Sequence, residues 1–319
     1  MSDEMKRRDF LKKSAAVGTS AFIGRSVFPA FLDSSIASAT GSKRIDIVDV
    51  KGQNYFNNTI QAVELFGGMK RFISKGDRVG LLLNSPWRNP GAYTSPVVAL
   101  AILKLCWDAG AKEIYSLENV SSRYWRRTPL SKQYKDEIKN MKKAGKKYVK
   151  VEIPRGKNLK VAHVERRLMD CDVFINVPII KDHSGTHFTC CIKNLMGTTA
   201  YKPTNHFMHF GDTGKDWGDP GAEDDVFLSQ SIADLGLVRK PDLCVSDVTE
   251  ILTTGGPYGP GKISKPQCVV AGTDSLAVES YCARFLNISF ENNLVLKYAA
   301  EHGLGELFHS KMNIEKIEI

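Results

Sequence analysis

Residues 173–178 read VFINVP, and residues 78–84 read RVGLLLN. Both are short, unbroken apolar runs ended by a proline or a polar side chain. A helix needs a longer pattern of period 3.6, and a half-exposed strand alternates. A short continuous run is the mark of a strand buried on both faces, as in a parallel sheet covered by helices on either side. Working outward, strands are expected at Ile45–Val50, Lys112–Leu117, Tyr148–Ile153, Asp242–Ser246 and Gln267–Ala271. Helices are expected at Thr59–Ile73, Pro96–Ala109, Leu130–Lys143, Ser275–Phe285 and Leu294–His302. The Pro96–Ala109 helix has Thr94 or Ser95 to cap it, Pro96 in its first turn and Gly110 to end it. This β-α-β-α order predicts an α/β fold with a mainly parallel sheet flanked by helices. A chain of 319 residues exceeds the comfortable size of one core, which predicts two lobes with a cleft between them.

The composition is that of a globular protein, with 42% hydrophobic and 25% charged residues. The net charge is +9, and residues 1–39, with six basic and four acidic side chains, account for two of those charges. A body this basic attracts anions such as carboxylates and phosphates. No nucleic-acid-binding motif is present. The seven cysteines (Cys106, Cys171, Cys190, Cys191, Cys244, Cys268 and Cys282) include no C-x-x-C, so no iron–sulphur or zinc-knuckle motif is present. Most sit in apolar runs as small buried hydrophobes, and the adjacent pair Cys190–Cys191 is the exception.

The N-terminus carries an export signal. Arg7-Arg8-Asp9-Phe10-Leu11-Lys12 matches R-R-x-F-L-K, a mildly apolar stretch runs from Ala15 to Ile23, and Ala37-Ser38-Ala39 is a small-x-small cleavage site. The apolar stretch is too short to span a bilayer. The expectation is a precursor handed to the twin-arginine translocase, cleaved after Ala39, with residues 40–319 delivered to the periplasm and no stable membrane span after cleavage. That translocase moves folded proteins, many of which carry a cofactor inserted beforehand.

In open α/β sheets, ligands bind beyond the C-terminal ends of the strands, and four loops there are rich in polar groups. Asn84–Pro90 offers Asn84 and the forked guanidinium of Arg88 for a carboxylate or phosphate. Lys181–His187 brings Lys181, His183 and His187 and leads into Phe188–Gly197. If this segment is helical, His183 and His187 lie one turn apart. Lys193 stands in an apolar context that would lower its pKa and raise its nucleophilicity. Asn205–His209 adds His206 and His209, so four of the seven histidines fall between 183 and 209. Neutral imidazoles suit transition metals, and Cys190 and Cys191 could add thiolates. Gly255–Lys262, with Gly256 and Gly259, could bring backbone amides close to an anion. An ordinary turn remains an equal reading of that segment.

At these residues the chain resembles the family catalogued as domain of unknown function 362. The resemblance rests on Val177–Gly197 (VPIIKDHSGTHFTCCIKNLMG), Gly255–Gly261 (GGPYGPG) and Val270–Glu279 (VAGTDSLAVE), and spans roughly 45–285. Many relatives append a ferredoxin-like module, which this chain lacks. The order of elements is more remotely similar to the nickel-pincer lactate racemase superfamily. That resemblance implies His183 as acid/base, Lys193 as the covalent anchor of the pincer cofactor, His209 as a nickel ligand and Arg88 as the carboxylate arginine. The spacings of 10 and 16 residues between 183, 193 and 209 look like that superfamily's. The superfamily's second histidine has no counterpart, since Glu118–Arg123 stands in its place, and two-base racemization needs a second poised group.

Taken together, the sequence points to a cofactor- or metal-dependent enzyme, an isomerase or oxidoreductase, acting on a small anionic, hydroxy-acid-like substrate. His183 and Lys193 would be catalytic. Arg88, Asn84, Lys181, Gly256 and Gly259 would bind substrate, and His209, His206 and His187 would bind metal. A non-catalytic periplasmic binding protein, or a redox accessory built on Cys190–Cys191, is the alternative.

Overall fold

The computed structural model describes residues 44–221 and 224–319. Arg7, Arg8 and Ala39 of the export signal lie outside them. Seven strands form the main sheet: β1 (Ile47–Lys51), β2 (Arg78–Leu83), β3 (Glu113–Ser116), β4 (Val173–Val177), β5 (Leu243–Val248), β6 (Cys268–Gly272) and β7 (Ile314–Glu318). Their spatial order is β7-β1-β6-β5-β4-β2-β3. The pairs β7–β1, β5–β4, β4–β2 and β2–β3 are parallel, and only β6 runs against its neighbours.

The apolar runs became the central strands because both faces of the sheet are covered. Val79, Leu81 and Leu83 of β2 pack under α1 (Tyr55–Glu64) and α2 (Pro96–Asp108). Leu82 and Phe174 point the other way, into the core shared with α3 (Asp225–Leu235), α4 (Ser275–Ala283) and α5 (Leu294–Glu301). Ser95 caps α2 by accepting from the Val97 amide, with Pro96 in the first turn. The expected α/β class with a mainly parallel sheet and helices on both faces is what the chain adopts.

Four expectations need correction. Lys43–Ile319 group as one compact unit, so the cleft between two lobes is replaced by a cavity over one sheet. Tyr148–Glu152 is a strand outside the main sheet, paired with Val161–Glu165 in a separate ribbon. The expected helix over Leu130–Lys143 breaks into a short 3-10 turn and Lys135–Asn140. Lys181–His187 is a hairpin rather than a helix: Lys181–His183 pairs with His187–Thr189, placing His183 directly opposite His187.

β2, β3, β4 and β5 all end on one edge of the sheet, and the loops that follow are pinned there. Thr94, fully buried, donates to the Val177 carbonyl (2.8 Å) and accepts from the Asn84 amide (3.2 Å), which clamps the loop after β2 to the end of β4. Asp247, near the end of β5, accepts from the Ser95 amide and from Thr249 Oγ1 (2.6 Å) and the Thr249 amide (2.9 Å). Arg127 donates to the Trp87 carbonyl (2.6 Å) and stacks on Tyr93. No described helix is long and apolar enough to cross a membrane. Replacing Asp247 by Ala leaves buried donors without an acceptor and is expected to cost about 2 kcal/mol. Urea unfolding would show this as a lower midpoint at unchanged slope, and an unchanged midpoint would remove Asp247 from this role.

Candidate active site

The loops at this edge enclose a cavity of about 440 Å³, a size suited to a small organic ligand. Asn84, Trp87, Lys181, His183, Lys193 and His209 all line it. Side chains spread over more than a hundred residues of sequence therefore meet in one place, because their strands end together.

Lys181 leaves the hairpin after β4 and is only 1% exposed. Its Nζ donates to the Ala92 carbonyl (2.5 Å) and to Asn84 Oδ1 (3.2 Å), and it lies 5.3 Å from the Trp87 ring. An ammonium has three donors, so one remains for a ligand. Burial, then repulsion from Lys193, holds the Lys181 pKa well below the usual lysine value. Asn84 in turn donates to Asn194 (3.0 Å), Asn194 to Asn176 of β4 (2.8 Å), and Asn176 to the Cys191 carbonyl (2.8 Å). This chain of amides ties the loop after β2 to the turn that carries Lys193. It makes Asn84 a holder of Lys181, with its oxygen and one N–H already committed. Lys193 is itself buried, with its Nζ 3.4 Å from Met196 Sδ.

His183 is held by its own turn. Its Nδ1 accepts from the amides of Gly185 (3.1 Å) and Thr186 (3.3 Å). That assigns the ring proton to Nε2, so the neutral ring offers the cavity a donor. Burial and the two lysines depress its pKa to about 2. His209 sits in the short helix His206–Phe210 and is covered by Trp217, 4.7 Å between ring centres. Burial, then Lys193, lowers its pKa to about 3. Both imidazoles are therefore neutral, the form that ligates a metal.

Glu118, following β3, is the one acidic side chain among the described residues lining this cavity. Desolvation, partly offset by Lys181 and the Ser85 amide, pushes its pKa up to about 8. A carboxyl that titrates near neutrality is suited to proton transfer. In the sequence, Glu118 marks only the place where a histidine is missing. Its signal was position, two residues past β3 and next to the lysine loop in space.

Five of the expected site residues fall elsewhere. Arg88 is exposed and does not line the cavity, because the loop turns it outward while Trp87 turns in. His187 has a φ of +63° and lines a different surface depression from His183. His206 turns toward Asp216, 3.4 Å away, and packs on Tyr201 and Phe210. The histidines expected to share a metal thus form no three-ligand set among the described residues. Gly256 gives its amide to the Asp182 carboxylate (2.8 Å), and an added Cβ would lie 1.7 Å from the Asp182 carbonyl oxygen. Gly259 has a φ of +71° and packs on Asn89. These glycines allow close packing of two loops and present no amide cradle to the cavity, whose wall here is Pro257 and Tyr258.

The pKa of Glu118 has a thermodynamic consequence. The folded chain holds this proton up to about pH 8 and the unfolded chain only to about 4.5, so wild-type stability falls as pH rises through that window. The stability of Glu118→Gln relative to wild type is expected to climb from pH 5 to pH 8 and then level off. Denaturant midpoints across that range test it, and a pH-independent difference would contradict it.

Among solved structures, the chain is similar to the lactate racemase apoprotein from Thermoanaerobacterium thermosaccharolyticum, at 14% identity and a TM-score of 0.42. The likeness covers 76% of this chain and 57% of that one. It is also similar to a structural-genomics target from Thermotoga maritima, at 10% identity and a TM-score of 0.36, covering 73% of this chain and 58% of that one. The chain thus spans less than two thirds of either protein, and neither likeness bears on activity. No curated protein matches it. The family model described as "domain of unknown function (DUF362)" matches residues 80–284, a stretch that runs from β2 through α4 and contains Glu118, Lys181, His183, Lys193 and His209. The chain belongs to this family.

Proposed function

We propose that the cavity binds a small carboxylate-bearing substrate of the 2-hydroxy-acid kind, next to a metal-bearing organic cofactor, and exchanges a proton with it. The observation that carries this reading is the convergence of two buried lysines with two neutral histidines and one protonatable carboxyl. Lys181, 1% exposed with one donor beyond those given to Ala92 and Asn84, is the group in this set that a carboxylate would satisfy. In this reading the third Lys181 donor and its charge bind the substrate carboxylate. His183 Nε2–H donates to a substrate oxygen. Glu118 holds or takes the proton on the opposite side, the role for which no second histidine is present. Trp87, Tyr258 and Trp217 line the cavity and would help to exclude water from it.

A nickel-pincer type of cofactor fits the donors present. Lys193 would anchor the organic part and His209, kept neutral, would ligate the metal. When bound, the group would supply an electron-accepting centre beside the substrate carbon. The redox alternative built on Cys190 and Cys191 loses support, because both thiols are fully buried and exchange with a partner needs access to sulfur.

Binding of an anion favours the charged form of Lys181, whose pKa is lowered by burial and by Lys193. Ligand binding therefore takes up a proton above that pKa, and affinity weakens as pH rises. Calorimetry of a 2-hydroxy carboxylate such as lactate, in buffers of different ionisation enthalpy, measures this uptake. Lys181→Met is expected to abolish it and to weaken binding by at least tenfold. Loss of the substrate C2 proton in D2O, followed by NMR with protein purified from its native host, reads the chemistry. It should fall at least a hundredfold in Glu118→Gln, in line with the usual contribution of a general acid or base. Binding without exchange would leave an anion-binding protein, and no binding at all would end the reading.

We also propose export by the twin-arginine route, on the strength of Arg7-Arg8 and the Ala37-Ser38-Ala39 site. Replacing both arginines by Lys is expected to retain the uncleaved chain in the cytoplasm, while the wild type yields an N-terminus at Thr40 outside it. Equal distribution of the two forms would contradict export by this route.

A further inference from the structure

Behind the cavity wall, on the far side of the turn that carries Lys193, two cysteines meet one glutamate, and two further cysteines stand beside them. Cys190 and Cys191 are fully buried with their sulfurs 3.8 Å apart, and Ser246 Oγ lies 3.5 Å from one and 3.4 Å from the other. Cys282 of α4 is a neighbour of Cys190, and Cys244 of β5 a neighbour of Cys191, all four as free thiols. Glu279, one turn before Cys282 on α4, is also fully buried. One of its oxygens accepts from the Ile192 amide, and Oε1 has no hydrogen-bond partner. The ligand atoms of Cys190, Cys191 and Glu279 all lie within 4.8 Å of one another.

Four buried thiols alone would be small hydrophobes. A buried carboxyl oxygen with no partner is different, because a leucine at that place would pack without the cost of desolvation. The geometry supplies the missing partner. Two sulfurs bound tetrahedrally to zinc at about 2.3 Å stand about 3.8 Å apart, which is the separation of Cys190 and Cys191. We propose that Cys190, Cys191 and Glu279, completed by Cys282 or Cys244, bind one Zn²⁺ in a closed structural site. The ion gives Glu279 Oε1 its partner and offsets the thiolate charges. It fastens the Cys190–Asn194 turn to β5 and α4, and so fixes the base of Lys193. With no solvent-exposed position, the site loads as the chain folds and takes no substrate.

The test uses the full chain. Protein from zinc-supplemented cells is expected to carry one zinc per chain by elemental analysis. Refolded with Co²⁺ instead, it should show the intense near-ultraviolet sulfur-to-cobalt band of a thiolate site. Cys190→Ser with Cys191→Ser should remove both signals, and Glu279→Gln should speed zinc loss to a chelator at least tenfold. His209→Ala should leave the cobalt band unchanged, which separates this site from the cavity of the proposed function. Absence of the sulfur band in the wild-type cobalt protein would overturn the proposal, as would zinc that survives the double substitution. The cobalt spectrum is read on the wild-type chain, so it decides the matter even where the double variant does not fold.

Discussion

The Lys181 ammonium is buried between an amide oxygen, a backbone carbonyl and the Trp87 ring, and Lys193 is buried in the wall of the same cavity. Like charges in a water-poor space repel with a strength that solvent would otherwise screen. Much of the local architecture answers that repulsion. The relay from Asn84 through Asn194 and Asn176 keeps Lys181 where its charge has partners. Among the described residues lining the cavity Glu118 is the one acidic side chain, and desolvation pushes its pKa up to about 8. The histidines answer by staying uncharged. A carboxylate ligand would meet the third donor of Lys181, whose other two are taken by Ala92 and Asn84.

The sheet makes this possible by ending four strands on one edge. This part was legible in sequence, because runs such as VFINV and RVGLLL exclude both a helix and a half-exposed strand. The helix starting at Pro96 was legible for a similar reason, since its cap and first-turn proline are local chemistry. The meeting of Asn84, Lys181, His183, Lys193 and His209 followed from the rule that ligands gather beyond strand ends. The direction of β6 was not legible, because an apolar run reads the same for either direction. The edge strand β7 was missed because its residues are mostly charged and partly exposed.

Side-chain direction was the least legible property. His183 and His187 would share a face in a helix, but the segment is a hairpin in which His187 has a positive φ, and the two line different depressions. Arg88 and Trp87 are neighbours, and nothing in their order says which turns inward. Gly256 and Gly259 looked like an anion cradle, whereas tight loop packing is the reason for them. Glu118 carries no motif, and its importance arises only when the strand order places β3 beside β2 and the lysine loop above both.

The chain thus sets nitrogen and oxygen donors on one side of the 190–194 turn and sulfur donors on the other. The central claim is that the two buried lysines form an anion site. A crystal structure of the protein soaked in a 2-hydroxy carboxylate tests it most directly. The account predicts the carboxylate within hydrogen-bonding distance of Lys181 or Lys193, with its hydroxyl oxygen near His183 Nε2. An empty cavity at saturating ligand, or the carboxylate bound only at Arg88 on the surface, would contradict it.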